Sequence, residues 1–329
     1  MDFEDIIGHE NIIEGLKNAI RNDLVSHSYL FEGPKSIGKE RLAKSLAKTL
    51  LCQRGGDSPC NKCSSCIKFD SGNHPDFHIE YPDGNSFKKE QIDELQRSII
   101  KIPLESDRKV YILDHVDKMT QSAQNSFLKT LEEPPRYAVL ILLGINSYSL
   151  LPTIVSRCQL IKFNSVDKTI IEKALISIYD KTEEQARFIT SFSNGIVGRA
   201  IELSKSDSFK SLRDETIEIL DTVTKGDKLK VYFGSDFFEK NKENIDEIMD
   251  IVLIWYRDLI VYKETENIDF IINRDKIDII ISQCKNLSRM KINDIIDTVV
   301  KTKDDIHANV NYQLAIEVML LKIQEVEIW

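Results

Sequence analysis

No apolar run in this chain approaches the roughly 18 residues needed for a helix to span a bilayer, which excludes a helical membrane protein. The first residues, MDFEDIIGHE, are acidic and lack the basic-then-apolar order of a secretory signal, so a cytoplasmic protein is expected. An excess of positive charge is missing too. Lys and Arg number 44 against 53 Asp and Glu, a formal net charge of -9. A chain so charged neutralises few phosphates, which argues against tight autonomous DNA binding and favours protein partners. The acidic excess lies in the second half: residues 1 to 165 carry 21 basic and 22 acidic side chains, residues 166 to 329 carry 23 and 31. Neither an internal repeat nor a low-complexity tract occurs.

The 329 residues, 42% of them hydrophobic, suffice for two or three ordinary domains. Cysteine is sparse outside one stretch, CQRGGDSPCNKCSSC, where Cys52, Cys60, Cys63 and Cys66 follow the spacing C-x7-C-x2-C-x2-C. In a cytosolic chain this pattern favours metal over disulfides. Four thiolates close in sequence, with Gly55, Gly56 and Pro59 allowing tight turns, can surround one Zn²⁺ tetrahedrally and leave no open position for a catalytic water. The zinc is therefore expected to be structural. His74 and His78 lie nearby, but a closed shell does not need them and they are read as strand-flanking residues. Cys158 and Cys284 are read as buried small apolar residues.

Ahead of the cysteines, HSYLFEG reads as a strand and KERLAKSLAKTLLC as a helix with Leu42, Leu46 and Leu50 on one face. Between them lies GPKSIGKE, nearly the phosphate-binding loop G-x-x-x-x-G-K-[ST]. Gly33, Gly38 and Lys39 fit, but Glu40 stands where a hydroxyl should ligate Mg²⁺. The run VYILDHVDK supplies Asp114 for the metal but puts His115 where a Glu should polarise the attacking water. Asp117 comes too late to replace it. These two departures point to lost hydrolysis. Backbone N–H groups from Pro34 to Gly38 and the Lys39 ammonium could still hold ATP or ADP; alternatively Gly33 and Gly38 only make the turn. Further on, LPTIVSRCQLIKF places Arg157 between two strands. Its planar, permanently charged guanidinium suits a phosphate, although an isolated Arg near a strand is more often a surface charge.

Strands are also predicted at 76 to 81, 109 to 114, 138 to 144 and 159 to 163, with helices at 88 to 100 and 120 to 132. The near-continuous apolar runs indicate a parallel sheet between helices. From 166 onward no strand is predicted, and helices follow one another in TEEQARFITSF, DEIMDIVLIWYRDLIVYKE and NVNYQLAIEVMLLKIQEVE. The expected class is α/β plus all-α, with an α/β domain at 1–165, a cysteine module at about 52–66, a small helical domain at 166–207 and a larger one at 208–329.

Taken in order, HSYLFEGPKSIGKE, the cysteine insertion, HPDFHIE, VYILDHVDKMTQSAQNSFLKTLEEPP and LPTIVSRCQLIKF resemble the clamp-loader branch of the AAA+ proteins, found in bacterial DNA polymerase III. The resemblance is close over residues 1 to about 165, and the run QNSFLKTLEEPP followed by SRC is specific to the branch. It implies a RecA-like domain, a helical lid and a helical collar for assembly. It also implies a subunit that does not hydrolyse ATP, sits in a ring beside gamma or tau motor subunits and a delta subunit, and lends the arginine matching Arg157 to its neighbour's ATP. The ring would load the sliding clamp on primed DNA in the replisome. Asn146 falls near the family's first sensor position, and Arg199, in NGIVGRA, lies one place later than the second sensor of motor subunits. Two rival readings make different demands. An active motor would carry Ser or Thr at 40 and Glu at 115. A nucleic-acid-binding zinc module would surround its cysteines with basic and aromatic residues, whereas only Arg54, Lys62, Lys68 and Phe69 are near.

Overall fold

In the first half of the chain, apolar runs too short and too continuous for surface helices alternate with amphipathic segments. They fold as strands and covering helices in a computed structural model that describes residues 2–225, 228–308 and 310–324. The order is α1 (Glu10–Arg21), β1 (Ser28–Glu32), α2 (Lys39–Leu50), α3 (Ser64–Asp70), β2 (Phe77–Glu80), α4 (Lys89–Ile99), β3 (Lys109–Asp114), α5 (Gln121–Glu132), β4 (Ala138–Gly144), α6 (Pro152–Val155) and β5 (Gln159–Lys162). All five strands are parallel, in the order β2-β3-β4-β1-β5. Tyr29 on β1 stands level with Ile141 on β4 and Gln159 on β5.

Successive residues of the central strands enter opposite cores, as the two-residue period requires. Tyr29, Phe31, Val110, Ile112, Ile141 and Leu143 pack with Leu16, Leu42 and Leu46 on one face. Leu30, Tyr111, Leu113, Leu140 and Leu142 pack with Ile92, Leu95, Phe127 and Leu131 on the other. Burial on both faces explains why β1, β3 and β4 read as unbroken apolar runs. The edge strands β2 and β5 are only partly covered and are four residues long each.

The remaining elements are helices: α7 (Lys168–Tyr179), α8 (Glu183–Ser193), α9 (Val197–Lys205), α10 (Asp207–Thr224), α11 (Lys228–Lys240), α12 (Ile245–Thr265), α13 (Ile277–Asn286), α14 (Arg289–His307) and α15 (Tyr312–Gln324). No strand follows β5 among the described residues, and the expected continuation of the last helix beyond 324 lies outside them. The fold is thus a five-stranded parallel α/β domain followed by a C-terminal helical part.

The backbone divides into two compact units: residues up to Ile171 with Gly195–Arg199, and Glu172–Asn194 with the chain from Ala200 onward. The segment 166–207 is thus shared between them. In the helical unit Trp255 and Tyr256 on α12 are fully buried, and the Trp255 indole donates to Gln283 Oε1 on α13 at 3.0 Å. Arg213 on α10 is buried over the Phe188 ring of α8 at 4.4 Å and makes a two-pronged bond to Asp275, 2.5 and 2.9 Å, while also donating to Asn273 Oδ1. Asp258, with no exposed surface, accepts from the backbone N–H groups of Ile272 and Asn273 and from Arg257. Cys284 is buried, as its sequence context predicts.

Candidate functional site

The loop between β1 and α2 turns where only glycine fits. A Cβ on Gly33 would lie 2.7 Å from the carbonyl oxygen of Phe163, just past β5, and Gly38 caps α2 with a φ of 116°. The side chain of Lys39 folds back on this loop. Its Nζ donates to the carbonyl oxygens of Gly33 at 2.6 Å and Pro34 at 2.8 Å. Burial lowers its pKa, with the charges of Asp114 and Asp117 working against that shift. Glu40 bonds Lys44 one turn on at 2.6 Å and accepts from the Tyr81 hydroxyl at 3.2 Å. Burial would raise the Glu40 pKa, but Lys44 and Tyr81 outweigh it and hold the carboxyl below its usual value. The same environment, burial first and Glu40 next, pushes the Tyr81 phenol up to about 12.

At the end of β3, His115 takes a left-handed conformation with φ 59° and turns its ring back on Asp114, Nδ1 to Oδ1 3.2 Å. Asp117 is engaged elsewhere, accepting from the backbone N–H of Ile145 at 3.1 Å. Asn146 accepts from the N–H of Ser149 and so caps the short turn after β4. Arg157, between α6 and β5, donates to Thr153 O at 2.9 Å and pairs with Glu132 at the end of α5, also at 2.9 Å. Its neighbour Cys158 is half-buried, with Sγ 3.0 Å from Ser28 Oγ.

Two loop contacts are invisible to motif reasoning. His9 packs edge-on against Phe163 and bonds the Ile37 carbonyl at 3.1 Å. The backbone N–H of Gly198, at the start of α9, donates to the Ser36 carbonyl at 2.9 Å. A Cβ on Gly198 would come within 2.5 Å of that oxygen. Backbone-to-backbone bonds carry no side-chain signature; the glycine pair in NGIVG is the only trace.

The four cysteines converge. Their sulfurs all lie within 4.8 Å of one another, with Cys52 to Cys63 and Cys60 to Cys66 both at 4.0 Å. A tetrahedral shell with metal–sulfur bonds of about 2.3 Å needs sulfurs about 3.8 Å apart. Three sulfurs, of Cys52, Cys60 and Cys63, also accept at 3.4 Å from the backbone N–H groups of Cys60, Cys63 and Cys66 in turn. The N–H of Lys62 and its neighbours favour thiolate at Cys60, pulling it down to about 6, whereas burial drives Cys66 up to about 12. The donor set, its spacing and its N–H···S bonds fit a closed four-sulfur metal site, and neither histidine belongs to it. Lys48 fixes the module to α2, its buried Nζ donating to Asn61 at 2.6 Å and Asp70 at 2.8 Å.

A family model described as "DNA polymerase III, delta subunit" matches residues 8–167, and one for the "DNA polymerase III, delta subunit, C terminal" matches residues 208–325. DNA polymerase III subunit delta' of Bacillus subtilis is 37% identical over 317 residues, covering 95% of each chain. The chain belongs to the delta' family of DNA polymerase III subunits. The chain is also similar to tau and gamma subunits. The tau subunit of Bacillus subtilis is 27% identical over 98% of this chain, which spans 61% of tau. The tau/gamma subunit of Haemophilus influenzae is 35% identical over 56% of this chain. In this chain the loop lysine, Lys39, is followed by Glu40, and His115 follows Asp114.

Proposed function

We propose that the chain is a non-hydrolysing subunit of the DNA polymerase III clamp loader, which contributes the Arg157 guanidinium to ATP held by a neighbouring gamma or tau subunit. The observation that carries this reading is Glu40. A carboxylate tied to Lys44 and Tyr81 replaces the hydroxyl that would ligate Mg²⁺. Two others support it: His115 faces Asp114 rather than an attacking water, and the cation meant for phosphate lies on the loop's own carbonyls. Arg157, by contrast, is partly exposed, and its pair with Glu132 is of the surface kind, worth about 0.2–1 kcal/mol, so another anion can displace it.

In this reading residues 1–165 form the RecA-like domain, 166–207 the lid and 208–329 the collar. The partners are gamma or tau, delta, and, through the assembled ring, the sliding clamp and primed DNA. The cysteines hold a structural Zn²⁺, and the protein is cytoplasmic. Among the described residues no helix is long and apolar enough to cross a membrane.

The test is steady-state ATP turnover of the chain alone, then with motor subunits, delta, clamp and primed DNA, for wild type and Arg157→Ala. The expected result is no turnover alone and an Arg157-dependent gain in the mixture; arginine fingers contribute on the order of 10³ to 10⁵ in known cases. Turnover by the chain alone, abolished by Lys39→Ala, would instead make it a motor.

A further inference from the structure

After α4 the chain runs through an exposed apolar loop. Ile100, Ile102 and Leu104 are 71%, 73% and 77% exposed, so packing of these side chains does not fix its course. Polar anchors do. At the near end the Tyr137 hydroxyl donates to the carbonyl oxygens of Ile99 and Ile100, at 3.2 and 2.7 Å. At the far end three consecutive backbone N–H groups, of Leu104, Glu105 and Ser106, donate to the Asp76 carboxylate at 2.7, 2.9 and 2.9 Å.

Asp76 is fully buried and is the end of a chain of hydrogen bonds that begins in the cysteine module. Its backbone N–H donates to His74 Nδ1 at 3.1 Å, which leaves the proton on Nε2. Nε2 then donates to Ser65 Oγ at 2.9 Å, and Ser65 Oγ donates to the Leu51 carbonyl at 2.5 Å. Leu51 precedes Cys52, and Ser65 precedes Cys66. Both ends of the last bond therefore sit beside metal ligands. Outside the relay, Lys68 of α3 pairs with Glu105 at 2.5 Å.

We propose that the four-cysteine module is the clasp of this loop: metal in the shell fixes Leu51 and Ser65, and through His74 and Asp76 the far end of the Ile100–Leu104 loop. The physical reason is that Leu51 and Ser65 each lie one residue from a ligand, Cys52 and Cys66, so ligation of those thiolates constrains the Ser65 hydroxyl and the Leu51 carbonyl together. The Gly55–Gly56 turn and the seven-residue α3 form a segment too small to bury a core of its own, so metal ligation supplies its order. When the shell opens, Ser65 leaves His74, His74 is free to turn away from the Asp76 N–H, and the three loop amides lose their oriented acceptor. Occupancy of the shell is thus converted into presentation of three apolar side chains.

The inference rests on the cysteines holding metal, so the experiment starts by measuring zinc in the purified chain; a content near zero overturns both. Hydrogen–deuterium exchange of the full chain is then followed by mass spectrometry, zinc-loaded against chelator-stripped under reducing conditions, alongside zinc-loaded Ser65→Ala and Asp76→Asn. The expected result is exchange about tenfold or more faster at residues 104–106 in the stripped chain and in both variants, with β3 and β4 unchanged. One zinc per chain with equal protection of 104–106 before and after stripping overturns the clasp. Full protection in zinc-loaded Ser65→Ala overturns the relay, and Asp76→Asn decides the matter if Ser65→Ala does not fold.

Discussion

Lys39 Nζ lies 2.6 Å from the carbonyl oxygen of Gly33, so the ammonium that a phosphate loop aims at its nucleotide is satisfied here by the loop's own backbone. Releasing it costs two hydrogen bonds before any phosphate is gained, and Glu40 adds like-sign charge where the phosphate would arrive.

Replacing Glu40 alone is therefore insufficient to make a motor. Glu40→Thr restores a hydroxyl but leaves His115 against Asp114. The isolated variant is expected to release phosphate from ATP at background rate; turnover clearly above background in a phosphate-release assay would show that His115 serves as the base.

Glycines in and around the loop divide sharply. Gly198→Ala pushes a methyl to 2.5 Å from a backbone oxygen, and overpacking of this kind costs about 1–3 kcal/mol. Gly15→Ala, in α1 with nothing within 4 Å, is expected to stabilise by about 0.5–1 kcal/mol. Urea unfolding of the two variants beside wild type checks both signs.

Arg213 offers a sharper substitution. Lysine keeps the charge but loses the two-pronged bond to Asp275, the bonds to Asn273 and the stacking on Phe188. Arg213→Lys is expected to lower stability by about 2–4 kcal/mol, read from the fluorescence of buried Trp255 during unfolding. A change below about 0.5 kcal/mol would mean that the network adds little to stability.

Burial lowers the pKa of His9, His74 and His78. Just below the ordinary value of about 6.5, an unfolded histidine takes up protons that these three refuse. The unfolded state then binds more protons, so stability rises with pH through that window and levels off above it. The urea midpoint is expected to fall between about pH 7 and about pH 5.5 at constant ionic strength. His78→Phe, which keeps the ring stacked on Tyr111, should flatten part of the slope.

Glu132→Gln tests the role proposed for Arg157 apart from its pair with Glu132. Stability should change by less than about 1 kcal/mol, as for exposed pairs. Turnover in the assembled loader should be kept, in contrast to Arg157→Ala; an equal loss in both variants would make Glu132 part of the catalytic arrangement.

The sheet was legible because β1, β3 and β4 are buried on both faces and have no polar alternation to confuse with anything else. The cysteine shell was legible because its ligands are neighbours in sequence. What remained hidden is held by atoms without identity in the sequence: the Gly198 N–H on Ser36, the Lys39 ammonium on two carbonyls, three loop amides on Asp76. His74, read as a strand-flanking residue, proves to be a buried link, since nothing in HPDFHIE distinguishes a histidine with two partners from one with none. The segment 166–207 reads as one run of helices, yet Gly195–Arg199 returns to the sheet unit because the Gly198 and Gly195 backbones bond Ser36 and Val166.

Helix α2 begins at the glycine turn with Lys39 and ends, about 18 Å away, where buried Lys48 grips Asn61 and Asp70 of the cysteine module. It is a rod bolted at both ends. Anyone rebuilding the turn to accept a nucleotide must therefore reshape it around a helix that cannot slide, and a redesign that shifts α2 lengthwise would be felt first at the cysteines.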